Sequence, residues 1–300
     1  MHLGNLFTAL ISWLAARSGG GKWILRIEDL DPQRSKPDFA RLIEDDLNWL
    51  GLDFDEGGLG NVGPNGSYSQ SIRGDIYRDA LDKLQDRRLL YPCSCTRADI
   101  MSTQAPHQSD GRIVYSGRCR PCPRPPFPTL PLDGKAVRIY VPDKSISFSD
   151  SVFGQQCVNL AYHCGDFVLR RADGAWAYML AVVVDDALMG IDEIVRGRDL
   201  LLSAAQQLYL YSLLGFKSPR HTHLPLICNA EGRRLSKRDP ETDMAHLRKS
   251  FSAEQIIGRL AFLANLIPEY SPISAVELIP LFSRDRIPRH DILLPENLLT

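Results

Sequence analysis

No run of 18 apolar residues occurs in this 300-residue chain, and no basic start leads into a long apolar core. A spanning helix and a cleaved secretory leader are therefore not expected, and the reading is a soluble, cytoplasmic protein without a membrane partner. Charge of one sign is lacking as well: 35 Lys and Arg face 36 Asp and Glu, for a net of −1. Without a global positive field, any contact with nucleic acid has to come from local basic patches. Arg87-Arg88, Lys217 to His223 and Arg233 to Arg238 are the candidates. Internal repeats and low-complexity tracts are also missing. Seven cysteines, an odd number, do not make a dense disulfide framework and fit a reduced compartment.

What is present is enough chain to bury a large core, as one α/β unit or two domains. Leu3, Leu6, Phe7, Leu10, Ile11 and Leu14 recur at three- and four-residue steps and predict a first helix, ended by Ser18-Gly19-Gly20-Gly21. Trp23 to Ile27 predicts a strand. Ser35, with Asp38 three residues on, predicts a capped second helix whose inner stripe is Phe39, Leu42, Ile43, Leu47 and Leu50. A glycine-rich loop (57–66) and a third helix (74–88) follow. Residues 91–132 hold four cysteines and eight prolines with little periodicity, the composition of an inserted module. Strands are predicted at 136–141, 167–170, 180–184 and 224–228, the third ending in Asp185-Asp186. Helices are predicted at 201–212, closed by Gly215, and after the capping pair Ser252 and Gln255.

Glu28-Asp29-Leu30-Asp31 leaves the strand at 23–27, and open α/β sheets bind ligands at the carboxyl ends of their strands. Taken alone, this is as well an acidic turn entering the next helix. Four separated blocks decide the weight. Met1-His2-Leu3-Gly4-Asn5 with Arg26-Ile27-Glu28-Asp29, the stretch Ala177 to Asp186, Glu193-Ile194-Val195-Arg196-Gly197, and Leu235-Ser236-Lys237-Arg238 together resemble the glutamyl-type class I aminoacyl-tRNA synthetases. The likeness covers roughly residues 1–240.

That resemblance implies an α/β, Rossmann-like catalytic domain in two parts, 1–90 and 133–240. A Cys-rich insertion (91–132) divides them, and a short helical C-terminal extension (241–300) follows. It implies ATP with Mg²⁺ as cosubstrate. His2, Gly4 and Asn5, on the first turn of a helix, would meet the phosphates, where unpaired N–H groups favour anions. Ser236 and Lys237 would complete that site, in a loop reading Arg-Leu-Ser-Lys where the family's usual pattern is Lys-Met-Ser-Lys. By the same resemblance Glu28 would face the amino group of L-glutamate, Tyr178 would line its pocket and Arg196 would recognise the substrate. The bland alternatives are a salt bridge from Arg196 to Glu193 or Asp199, and a packed aromatic for Tyr178.

Cys93-x-Cys95 with a later Cys119 can hold Zn²⁺ in a closed tetrahedral site. Tyr115 as the fourth ligand resembles the short glutamyl-type enzymes that glutamylate a transfer RNA nucleoside, whereas chemistry alone prefers Cys122 or His107. Only about 60 residues follow Lys237, against a large anticodon-binding part in the enzymes that charge transfer RNA. The short branch is implied: a monomer that activates glutamate without transfer RNA and attaches it to queuosine in tRNA(Asp). Its rivals are a fragment of a full glutamyl-tRNA synthetase and a non-catalytic RNA-binding remnant. In the family a strand and a Ser-Pro-type loop precede the HxGN block. Beginning at Met1-His2 therefore predicts unpaired sheet edges and weak or no activity, with either a true start upstream, which the downstream blocks favour, or a crippled chain.

Overall fold

A computed structural model of the chain describes residues 1–31, 35–102, 114–129, 131–132, 134–235, 242–295 and 298. Helix α1 (Leu3–Ser18) forms as its spacing predicts, and all six apolar positions of the stripe are buried. It lies in a core shared with the C-terminal helices, among them Ile256, Ile257 and Leu260. After Gly20 turns the chain at φ +65°, β1 (Ile24–Leu25) runs parallel to β2 (Glu56–Gly57), shorter than the strand expected over 23–27.

Between them stands α2 (Pro37–Trp49). Its N-cap is Lys36 with Pro37 in the first turn, not Ser35, because proline's fixed φ and missing N–H suit that position. The predicted stripe also needs correction. Leu47 and Leu50 are buried and Ile43 packs against the core, but Phe39 and Leu42 face solvent. Gly57 carries φ +99°, and a Cβ there would sit 2.0 Å from the Leu25 carbonyl oxygen. Gly57→Ala is therefore expected to push β2 off β1 at a cost of about 1–3 kcal/mol, read as a lower urea midpoint at unchanged m-value.

Helix α3 (Gly74–Asp86) precedes β3 (Leu90–Cys93), which pairs antiparallel with β4 (Ala136–Ile139). The Cys-rich segment is thus anchored at its first residues in a ladder, and it carries a short helix at Arg97–Ser102. Next come the hairpin β5 (Ser145–Asp150) and β6 (Gly154–Asn159), then β7 (Phe167–Arg170), which completes the β3–β4–β7 sheet.

The run 180–184, expected as a strand, is helical. It belongs to α4 (Tyr178–Leu188), in which seven consecutive residues from Leu180 to Asp186 are buried. A segment buried on all sides shows no amphipathic period, and its β-branched valines mislead. Strand β8 (Glu193–Gly197) follows, then α5 (Leu201–Leu214), closed by Gly215 in the left-handed region as predicted. Strands β9 (Arg220–Leu224) and β10 (Ile227–Cys228) occupy the place of the single strand expected over 224–228. Helix α6 (Ala253–Leu263) has the predicted Ser252–Gln255 capping box, and β11 (Ile292–Leu293) pairs with β10.

The larger sheet has the order β8–β9–β5–β6, with β8 parallel to β9 and β9 parallel to β5. Among the described residues β8 pairs only with β9, and β1 only with β2. Carbonyls of Trp23 and Leu25 accept from Asp55 and Gly58 on one side of β1, so Ile24 and Arg26 turn their backbone groups the other way. Arg220 likewise bonds Asp192, which leaves Val195 and Gly197 on the far edge of β8. Both edges border one cavity.

Candidate active site

That cavity has a volume of about 580 Å³ and is lined by His2, Gly4, Asn5, Glu28, Gly197 and Arg234, among others. His2 is the N-cap of α1, in extended backbone, and its amide donates to Asn5 Oδ1 at 3.3 Å. The first-turn N–H groups and the positive end of a 16-residue helix therefore border the cavity. A Cβ on Gly4 would lie 3.2 Å from His2 Cε1, so the bare glycine leaves room for the imidazole against the helix.

Leu235 is buried on the opposite wall, its N–H bonded to the Ile227 carbonyl at 3.0 Å. Ser236 and Lys237, the expected phosphate-site residues that follow it, lie outside the described residues, as does His107.

Behind the cavity is a chain of buried ion pairs. Arg26 donates to Asp186 at 2.6 Å and to Glu28 at 3.1 Å. Burial alone would lower its pKa, but these two carboxylates outweigh that and raise it. Asp185 takes Arg73 Nε at 2.7 Å, Gln70 Nε2 at 2.8 Å and the Tyr77 hydroxyl at 2.7 Å. The carboxylate pair expected at a strand exit is thus a pair of helical counter-ions. It ties α4 to β1 and α3.

Glu28 is exposed and lines the cavity; Arg196 stands between Val195 and Gly197, which line it as well, and Tyr178 is half-buried. Burial pushes the Tyr178 hydroxyl up, Glu28 pushes it further, and Arg196 and Arg26 pull it down. Glu28 and Arg196 therefore each lie within electrostatic reach of the Tyr178 hydroxyl. Arg196 is 8 % exposed. Neither carboxylate proposed to pair with it does so. Glu193 bonds Arg284, Arg220 and Thr222, and Asp199 bonds Arg234. Arg196 Nε instead donates to His223 Nε2 at 3.0 Å, and Nη2 reaches the Leu200 carbonyl at 3.5 Å. Its buried Nη1 has no hydrogen-bond partner among the described residues. The sequence offered His223 only as the end of a basic stretch for nucleic acid, but it is buried and meets Arg196 through strand register 27 residues away.

A second constellation gathers Cys93, Cys95 and Cys119, whose sulfurs lie within 4.8 Å of one another. The Tyr115 hydroxyl sits among them, 3.5 Å from Cys93 Sγ and 3.8 Å from Cys95 Sγ, and accepts the Cys119 N–H at 2.8 Å. Burial alone would raise the Cys119 pKa. Hydrogen bonds from the Tyr115 hydroxyl and the Ser94 amide bring it down to about 7. Cys122 is exposed and is not part of the cluster.

Residues 1–256 match the family described as tRNA synthetases class I (E and Q), catalytic domain. The chain belongs to this synthetase family. Among its E and Q relatives, the glutamyl-Q tRNA(Asp) synthetase of Symbiobacterium thermophilum is 46% identical over 302 residues, which cover 98% of this chain and 92% of that protein. The namesake from Nitratidesulfovibrio vulgaris is 42% identical over 304 residues, covering 100% and 93%. A glutamate-tRNA synthetase structure from Elizabethkingia anophelis superposes with a TM-score of 0.82 at 28% identity, covering all of this chain and 66% of the other. The α/β catalytic fold of the synthetase family, with a cysteine cluster and C-terminal helices, is thus established for this chain.

Proposed function

We propose that this protein activates L-glutamate with ATP in the absence of transfer RNA and then attaches it to queuosine in the anticodon loop of tRNA(Asp). The observation that carries the reading is Arg196: a buried guanidinium without a carboxylate partner among the described residues, within electrostatic reach of Tyr178. A buried cation of this kind awaits an anion, and a glutamate carboxylate supplies one. Glu28 takes the substrate ammonium and Tyr178 lines the pocket. His2, Gly4 and Asn5 hold the nucleotide at the start of α1, and Ser236 and Lys237 complete the phosphate site. Mg²⁺, carried by ATP, neutralises phosphate charge.

In the first step a carboxylate oxygen of glutamate attacks the α-phosphorus, the bond to the β-phosphate breaks, and pyrophosphate leaves. In the second, a hydroxyl of the nucleoside attacks the glutamyl carbonyl, its proton passes to solvent, and AMP departs. No protein nucleophile is needed, so the enzyme's contribution is positioning and charge stabilisation. Sequence identity supports this over a full glutamyl-tRNA synthetase: 46% with the glutamyl-Q tRNA(Asp) synthetase against 28% with the glutamate-tRNA synthetase.

We further assign residues 91–132 to a zinc module held by Cys93, Cys95, Tyr115 and Cys119, between catalytic parts 1–90 and 133–240, with 241–300 as the extension. Three thiols and a phenol fit a tetrahedral ion, whose ~2.3 Å Zn–S bonds place sulfurs ~3.8 Å apart; Cys95 and Cys119 stand at 3.4 Å. Bound zinc would supply a structural cross-link. One zinc per chain is expected by elemental analysis, and its removal by chelator is expected to lower the melting temperature without changing the KM for ATP. Cys122→Ser should retain the metal and Cys119→Ser should lose it.

No helix among the described residues is long and apolar enough to cross a membrane, and the proposed substrate places the enzyme in the cytoplasm. Two assays test the function. One is ATP–pyrophosphate exchange driven by L-glutamate without transfer RNA, and the other is glutamate transfer to tRNA(Asp) with and without queuosine. Silence in the exchange assay from folded protein, with glutamine also tried, favours the non-catalytic reading. Transfer that ignores queuosine sinks the acceptor assignment.

A further inference from the structure

Three neighbouring strands carry one hydrogen-bonded line across the sheet. Arg196 on β8 is in register with His223 on β9, and Asp150 ends β5, which pairs with β9 at His221. Arg196 Nε donates to His223 Nε2 at 3.0 Å, and His223 Nδ1 meets Asp150 Oδ2 at 2.7 Å. His223 and Asp150 are both fully buried. Asp150 is itself pinned by the backbone N–H groups of Val152 (3.0 Å), Phe153 (2.9 Å) and His223 (3.0 Å).

Arginine has no acceptor, so His223 Nε2 must accept and the ring proton must sit on Nδ1, donated to Asp150. We infer that Asp150 and His223 form a positioning relay that fixes Arg196, turning its free Nη1 toward the substrate carboxylate. The inference rests on the assignment of Arg196 to glutamate binding. Held through Nε to His223 and through Nη2 to the Leu200 carbonyl, the guanidinium plane keeps one nitrogen for substrate. A planar fork oriented in advance loses little entropy when it binds a carboxylate. The relay requires neutral His223, since a second cation with an N–H on Nε2 would confront the arginine. Burial, and Arg196 after it, hold the His223 pKa below its ordinary value against the pull of Asp150.

His223→Asn and His223→Gln separate this role from a merely structural one. Asparagine places an amide N–H near the Nδ1 position and keeps the bond to Asp150, but leaves Arg196 Nε–H without an acceptor. Glutamine reaches the Nε2 position with its carbonyl and restores that acceptor, while losing the donor to Asp150. Each removes one buried hydrogen bond, so both are expected to melt below the unsubstituted protein. Glutamate binding by titration calorimetry, and the KM for glutamate and ATP in pyrophosphate exchange, are then measured for both and for Arg196→Gln.

His223→Asn is expected to raise the glutamate Kd and KM ~10-fold with the ATP KM unmoved, and His223→Gln to recover most of that loss. The relay is overturned if Asn and Gln weaken glutamate equally. It is also overturned if neither does so while Arg196→Gln does. If Arg196→Gln leaves glutamate binding unchanged, or the unsubstituted protein binds none, the functional reading itself falls and the relay with it.

Discussion

Replacing Arg196 with glutamine will lower kcat/KM for glutamate in pyrophosphate exchange by roughly a thousandfold, the equivalent of about 4 kcal/mol. The size follows from burial. At a surface site the same substitution costs about 1 kcal/mol or less, because water screens the pair. Arg196 is 8 % exposed, and no carboxylate of the described residues neutralises it. The substrate carboxylate would thus be its charge partner, and truncation would leave that carboxylate desolvated and unpaired. The ATP KM is expected to move little, because the α1 terminus lies apart on the cavity wall. The stability of the free protein should change little, since relief of a buried charge without a counter-ion offsets the lost bonds to His223 and the Leu200 carbonyl. A variant that keeps its glutamate KM would remove Arg196 from the site.

The second large effect is on folding. Asp185→Ala should destabilise the protein by about 3–5 kcal/mol, seen as a drop in melting temperature of about 10 °C. Asp185 and Arg73 are essentially inaccessible to solvent, and Gln70 and Tyr77 complete the shell. Removing the carboxylate strands a buried guanidinium and a buried phenol at once. Arg73 keeps only the carbonyls of Asn65 and Ser67. A change below 1 kcal/mol would mean that water enters and replaces the carboxylate.

The two predictions mark where sequence reading succeeded and where it stopped. Helix α1 was legible because its apolar positions repeat with the helical period and glycines end it. The α6 cap was legible because Ser252 and Gln255 form a local reciprocal motif. Of the cysteine cluster, Cys93 and Cys95 were legible as a local pair, and the structure brings Cys119 and the Tyr115 hydroxyl beside them.

The α4 segment was not, because Leu180 to Val184 has no polar side to betray its period. Phe39 and Leu42 fit a helical stripe in sequence, yet the face they occupy is turned to solvent. The hairpin Ser145–Asp150 and Gly154–Asn159 went unread because its alternation is short: only Ile146 and Phe148, set between serines, mark the inner face of its first strand. Most instructive is His223. Its bond to Arg196 exists because two parallel strands align those residues, and register between distant strands is a tertiary property.

The paired open edges of β1 and β8 have a consequence for cooperativity. The amide ladder that would make one continuous sheet is interrupted at the cavity, so the β1–β2 portion and the β8–β9–β5–β6 portion are joined there by side-chain packing against α1. A ligand large enough to span the cavity touches both margins of the interruption. Its binding energy is then also cohesion between the two halves, and occupancy raises the free energy of separating them by RT ln(1 + [L]/Kd). The candidate active site would then be the fastening of the molecule as well as its workplace.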